Sequence, residues 1–221
     1  MDVFALTVDY GAEELSALGR LLGAGEAPGL AAPDPEPMSA ETRRAVHAAA
    51  WRGLVARRAL LIEPGPPPSF AVAEPHASVL APLIAPERAV SLTRGDTHTA
   101  FYLRGDAAVE QSALPGLLYR HTLLPRASAA QRLLQAAAIE DRPPASAAPF
   151  AVDRPALTAK RDEHTPPLLY AALSVTDAGE LLWVDGGELG LWRGTGTRTV
   201  RLEPTSADAL RAALTGLVSP R

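Results

Sequence analysis

The 221-residue chain has no cysteine, a single lysine and few aromatic residues. Without cysteine it has no disulfide, no thiolate nucleophile and no cysteine-ligated zinc or iron–sulfur site. The lone Lys160 leaves arginine to carry the positive charge, a mark of GC-rich coding that points to a bacterial source rather than to a chemistry. With only 5% aromatics beside abundant alanine and leucine, the core is expected to be aliphatic. No uncharged apolar run approaches the roughly 20 residues of a membrane span. The N-terminal MDVFALTVDYGAEEL has acids where a signal peptide has bases, and Asp9 breaks its apolar run. A cytoplasmic protein without membrane insertion is the expectation. The net charge of −4 gives no electrostatic reason to expect nucleic acid as partner.

What is present is the material of a folded domain, 47% apolar and 21% charged, in a chain long enough to bury a real core. Leu15, Leu18, Leu21 and Leu22 recur at one-face helical spacing in 12–22, with Glu13 and Glu14 favourable in the first turn. After a loop from Gly23 to Pro37, Ser39 reads as the N-cap of a longer helix with Val46, Ala50, Leu54 and Arg57 on one side. Leu60–Ile62 and Phe70–Ala73 are expected to be short strands around a proline-rich tip, and 76–85 a short helix limited by Pro82. The period then changes. RAVSLTR (88–94) and HTAFYLR (98–104) alternate apolar and polar side chains about Gly95-Asp96; AAVEQSA and GLLYRHTL supply two more strands, and LLPRASAAQRLLQAAAIE a helix.

Residues 141–167, rich in Pro and Ala and poor in periodicity, read as a linker or excursion between a half at 1–140 and another at 168–221. The second half repeats the order: LLYAALSVT, a turn at Asp177-Ala-Gly179, ELLWV, a hairpin at Asp185-Gly186-Gly187, ELGLW and TRTVRL. A final helix opens at Thr205 and Asp208 with Leu210, Leu214 and Leu217 on one face. LLPRASAAQRLLQAA and LEPTSADALRAALTG match locally, which supports a degenerate two-fold repeat of a meander-plus-helix unit. The expected fold is α+β, a largely antiparallel sheet with flanking helices.

No stretch carries a catalytic or cofactor motif. GELGLWRGTGTRTVRLEP, with Gly186 just before it, has glycines at 187, 190, 194 and 196, yet no lysine and a strand rather than a helix behind it, so it is neither a dinucleotide loop nor a P-loop. Turns between strands account for Gly186, Gly187, Gly194 and Gly196. His47, His76, His98, His121 and His164 form no HxH or HExxH pair, and no serine sits in a GxSxG elbow. Asp162-Glu163-His164 falls in the excursion as a solvated charge run. No catalytic, cofactor-binding or metal residue is assigned, and neither cofactor nor turnover is expected. Two alternatives stand beside this: a DNA-binding regulator using Arg43, Arg44, Arg52, Arg57 and Arg58, and an enzyme assembling His98, His121 and Asp162. Trp51 and Leu54 are expected to pack their helix on the sheet instead.

The order of elements, with a helix ending in WRGLVARRALL and the closing LLWVDGGELGLWRGTGTRTVRLEPTSADALRAALTGLV, resembles the ESX-secretion-associated EspG family over most of the chain. Arg57-Arg58 stands where that family has an Arg-Gly. The resemblance implies an antiparallel sheet of pseudo-two-fold character and a non-catalytic cytosolic chaperone or adaptor for type VII secretion substrates of the PE–PPE kind. A protein partner is expected to dock on the sheet, the 64–69 tip or the 141–167 excursion.

Overall fold

The computed structural model describes residues 6–25, 27–30, 38–158, 169–175 and 179–218. Strand β1 (Leu6–Gly11) leads directly into helix α1 (Ala12–Leu21), where the Glu14 carboxylate accepts from the Gly11 N–H at 3.0 Å and closes the first turn. Helix α2 (Ala40–Ala56) starts as its sequence predicts, with Ser39 Oγ accepting from the Thr42 N–H at 3.1 Å. Strands β2 (Leu60–Glu63) and β3 (Ser69–Val72) pair with each other alone, and helix α3 (His76–Ile84) follows.

Strands β4 (Arg88–Arg94), β5 (Thr97–Arg104), β6 (Ala107–Leu114) and β7 (Leu118–Pro125) form a meander that runs into helix α4 (Arg126–Ala137). Next come strand β8 (Phe150–Asp153) and the short helix α5 (Arg154–Thr158). Then β9 (Leu169–Val175), β10 (Gly179–Asp185), β11 (Leu191–Thr195) and β12 (Thr199–Pro204) repeat the meander and end in helix α6 (Ala207–Val218). Residues 162–164 and 176–178, named above as a charge run and as most of a turn, lie outside the described residues.

Ten strands form one sheet in the order β1-β7-β6-β5-β4-β9-β10-β11-β12-β8. The repeat reaches further than the two helix sequences suggest. Each meander's last strand is flanked by an antiparallel strand from earlier in the chain: β1 beside β7, with Leu6 opposite Leu123, and β8 beside β12, with Phe150 opposite Leu202. The expected α+β fold is the observed one.

Two compact units divide the chain. The first comprises residues 1–89 and 101–126, and buries Leu15, Leu18, Leu54, Leu80, Leu83 and Phe101. Close packing shows at Gly29, where a Cβ would stand 2.7 Å from that of Leu83. Leu54 is fully buried as expected, but Trp51 meets the Phe70 ring at 5.0 Å and so packs on the β2–β3 hairpin, not on the large sheet.

The second unit comprises residues 90–100 and 127–221. Its core joins Leu182, Val184, Trp192, Val200 and Leu202 to Ala145 and Leu157. The proline-rich excursion is therefore partly built into the core. Its 143–145 segment is laced to β11, the Ala145 N–H donating to the Leu191 carbonyl and the Leu191 N–H to the Pro143 carbonyl, each at 3.2 Å. Four-residue β8 carries too few positions to show a period, which is why composition alone reads it as linker.

Glycine roles differ from the sequence expectation. Gly194 is not a turn residue: it lies inside β11 opposite Leu182 and Leu202, where a Cβ would run into the Leu182 side chain and come within 2.8 Å of Val200 Cγ1. Here glycine makes room for the core. The loop after β10 is also longer than a two-residue hairpin, running 186–190 through a single 3₁₀ turn, so ELGLW is strand only from Leu191. Gly190 holds φ 93° there, pressed against the Ala145 backbone. At the start of α6 the cap is Ser206, whose Oγ accepts from the Ala209 N–H at 3.2 Å, rather than Thr205.

Candidate functional site

The histidines separate by environment. His98 is exposed on β5, with hydroxyls as its hydrogen-bond partners: Thr93 Oγ1 at 3.3 Å and Ser91 Oγ at 3.5 Å. His121, on β7, is wholly buried. The Gln111 amide nitrogen lies 2.9 Å from its Nε2, and that amide also donates to the Gly29 carbonyl at 3.2 Å while its oxygen accepts from Tyr102 Oη at 3.1 Å. With Gln111 as donor, Nε2 is the acceptor and the ring proton sits on Nδ1. Burial pushes the His121 pKa down to about 4, so the ring is neutral at physiological pH.

Tyr10 joins this buried group, edge-on to His121 at 5.3 Å with its hydroxyl 2.6 Å from His76 Nδ1. These contacts tie β1, β5, β6, β7 and α3 together with no solvent access at His121, a structural arrangement rather than an acid–base site. Asp162, the third member of the dispersed-enzyme reading, lies outside the described residues. Among the described residues no three His, Asp or Glu side chains gather as a metal site would require.

An open cleft in the first unit lies beside Ser78, Ala81, Glu87, Arg104 and Leu123. Its polar groups already have partners. Arg104 donates to the Ala81 carbonyl at 3.0 Å; Glu87 accepts from the Gly105 N–H at 3.0 Å and pairs with Arg126 at 2.6 Å. The five arginines of the DNA-binding reading are likewise dispersed. Arg57 pairs with Glu14 at 2.6 Å and donates to the Asp9 carbonyl at 3.0 Å, while Arg43 and Arg44 lie near the opposite end of α2, roughly 20 Å away along the helix.

What distinguishes the surface is the β2–β3 hairpin. Leu60 opposes Val72 and Ile62 opposes Phe70, so these four share one face while Leu61 points to the other. Leu60 is buried at the base, but Leu61, Ile62 and Phe70 stay 47%, 54% and 41% exposed. A two-stranded ribbon has no second layer to cover both faces, and Trp51 shelters only part of one. Leu61 on one face and Ile62 and Phe70 on the other thus leave neighbouring apolar area of the hairpin in water. The sequence points to the 64–69 tip but not to these three residues; the clue was an unbroken apolar run, Ala59–Ile62, in a strand too short to be buried on both faces.

The class of protein is set by fold: an α+β chain in which two four-stranded meanders, each closed by a helix, share one antiparallel sheet. Among solved structures it is similar to the type VII secretion system chaperone EspG5 of Mycobacterium tuberculosis, determined in complex with a PE25–PPE41 dimer, with a TM-score of 0.52 over 96% of each chain and 14% identity. The chain shares the EspG fold. No protein-family model matches the sequence, and no curated protein sequence does. Among the described residues no helix is long and apolar enough to cross a membrane.

Proposed function

We propose that this chain is a non-catalytic cytoplasmic adaptor or chaperone that holds a protein substrate, of the PE–PPE kind, for type VII secretion. The observation that carries this reading is the fold match over 96% of both chains to a chaperone seen with such a dimer. The exposed Leu61, Ile62 and Phe70 support it by supplying neighbouring apolar area that a partner could cover. The 64–69 tip belongs to this hairpin and remains a contact candidate. The 143–149 segment does not, because Ala145 is a core residue of the second unit and its backbone is paired with β11.

The test is co-expression with PE–PPE pairs encoded beside secretion genes, followed by size-exclusion chromatography. A stable complex is expected with the wild-type chain, lost in Leu61→Thr/Ile62→Thr at unchanged melting temperature. Both positions are about half exposed, threonine suits a strand, and the Trp51–Phe70 contact is left in place, so the substitution has little folding cost. Failure of every pair to co-elute with the wild-type chain overturns the reading of function. Capture that survives the double substitution overturns the assignment to the hairpin.

A further inference from the structure

The large sheet ends in two edge strands, β1 and β8, and their outward backbone groups are treated differently. In β1 the Ala12 N–H donates to the Leu117 carbonyl at 3.0 Å, which fixes the alternation: even-numbered residues bond toward β7 and odd-numbered ones face outward. The outward Asp9 carbonyl accepts from Arg57 and the outward Gly11 N–H donates to Glu14, each at 3.0 Å. Ion pairs of Arg57 with Glu14 and of Arg120 with Asp9 add charge along that edge. Charged side chains of this kind keep a strand edge from pairing with another chain.

Strand β8 has no such guard. The Arg154 N–H donates to the Arg198 carbonyl at 2.9 Å, so Phe150 and Val152 bond toward β12 while the backbone of Ala151 and Asp153 points away from the sheet. On the far side of β12 the Thr205 N–H donates to the Leu191 carbonyl at 3.0 Å, which gives the same phase. The Asp153 carbonyl serves the first turn of α5. Among the described residues nothing bonds the Ala151 N–H, the Ala151 carbonyl or the Asp153 N–H. The one charge on the strand, Asp153, is turned to Thr199, whose Oγ1 donates to it at 3.2 Å. The side chains are also incompletely covered. Val152 packs on the core of the second unit, and Phe150 on the same face meets the Trp192 ring edge-on at 6.4 Å, yet Phe150 stays 46% exposed.

We propose that β8 pairs with β8 of a second copy of this chain, antiparallel about a two-fold axis at Ala151, joining two sheets edge to edge. The segment Pro149-Phe150-Ala151-Val152-Asp153 is complementary to itself in that register. Ala151 exchanges two hydrogen bonds with Ala151 of the copy, and the Asp153 N–H of each chain reaches the Pro149 carbonyl of the other. Phe150 then stands opposite Val152 on both sides of the axis, an aromatic–β-branched pair that covers the exposed ring. Sliding by two residues sets Phe150 against Arg154, and by four sets Asp153 against Asp153, so the apolar match selects one register. A ladder this short buries far less than a permanent dimer does, so the pairing is weak and concentration-dependent. It shares no residue with the β2–β3 hairpin, and the two proposals stand or fall apart.

The test is sedimentation equilibrium of the full chain over about 5–500 µM, a range suited to weak association. A reversible monomer–dimer equilibrium is expected, and Asp153 amide exchange should slow as concentration rises. Ala151→Pro removes an N–H that points outward and leaves the bonds to β12, so it should weaken the dimer about tenfold or more. Ala151→Lys sets like charges face to face at the axis, and its effect should shrink as salt rises. Position 151 is exposed, so both variants should melt as wild type does in dilute solution. A chain that stays monomeric throughout overturns the proposal, as does a dimer in which Asp153 exchange is unchanged. A dimer that tolerates both substitutions, or is lost in Leu61→Thr/Ile62→Thr, overturns the assignment to β8.

Discussion

At the scale of single residues, His121 is a group whose charge the fold strongly resists. Its pKa falls from the ordinary 6.5 to about 4, with burial as the leading cause. A base whose folded pKa is depressed binds more protons when unfolded. Stability is therefore complete above about pH 6.5 and is lost as pH falls toward 4. At roughly 1.4 kcal/mol per pKa unit the loss is on the order of 3 kcal/mol at most. His76, part-buried against the Tyr10 hydroxyl, is shifted in the same direction by burial. Urea unfolding at pH 7.5 and pH 5 measures the effect. The midpoint should drop at the lower pH, and the drop should shrink in His121→Gln, which keeps a hydrogen-bonding side chain but cannot take up a proton. A drop unchanged in that variant would assign the acid sensitivity elsewhere. The sequence shows His121 only as one histidine in an alternating strand; that Gln111 and Tyr10 surround it depends on the pairing of β6 with β7 and of β7 with β1.

At the scale of elements, period was the readable signal where strands were long. The strands of 88–125 stand where the alternation puts them, as do the Ser39 cap and the proline-tipped hairpin. Three features were not legible, each for a physical reason. Strand β8 has four residues, α5 has five, and both sit among prolines. Gly194 looks like a turn glycine because close packing of a neighbouring strand leaves no mark in local sequence. The exposure of Leu61, Ile62 and Phe70 depends on what fails to cover them, a tertiary fact. The excursion's place in the core makes a prediction: Leu157, 7% exposed in the Trp192–Leu202 cluster, should cost about 2–3 kcal/mol when changed to alanine. Denaturant unfolding reads this directly. A change below about 0.5 kcal/mol, the usual range for surface sites, would return 150–158 to the status of a loose linker.

At the scale of the whole molecule, charge and core chemistry act in the same pH range. The sequence pI is about 5.7, and near it the chain loses the net charge that keeps copies apart. The same region lies between the folded and unfolded pKa of His121, where the folded state is already weakened. Association is therefore expected to peak near pH 5.7 and to exceed what neutrality alone produces. Light scattering across pH 4.5–7.5 tests this, with His121→Gln scattering less than wild type at the peak. Equal scattering by the two proteins would leave net charge as the sole cause.

The pairing of β1 with β7 also has a bearing on the order in which the protein can be made. Leu6 finds Leu123, and Tyr10 finds Tyr119, only after more than a hundred further residues have been added. At ribosomal speeds of about 5–20 residues per second, β1 waits on the order of ten seconds for its neighbour. During that interval α1 and α2 can form from contacts close in sequence, but the strand beside them cannot settle. Such distant pairing slows folding and leaves an unmatched strand open to other nascent chains. For this protein the vulnerable period is its own synthesis, and β1 is made long before it can find its place.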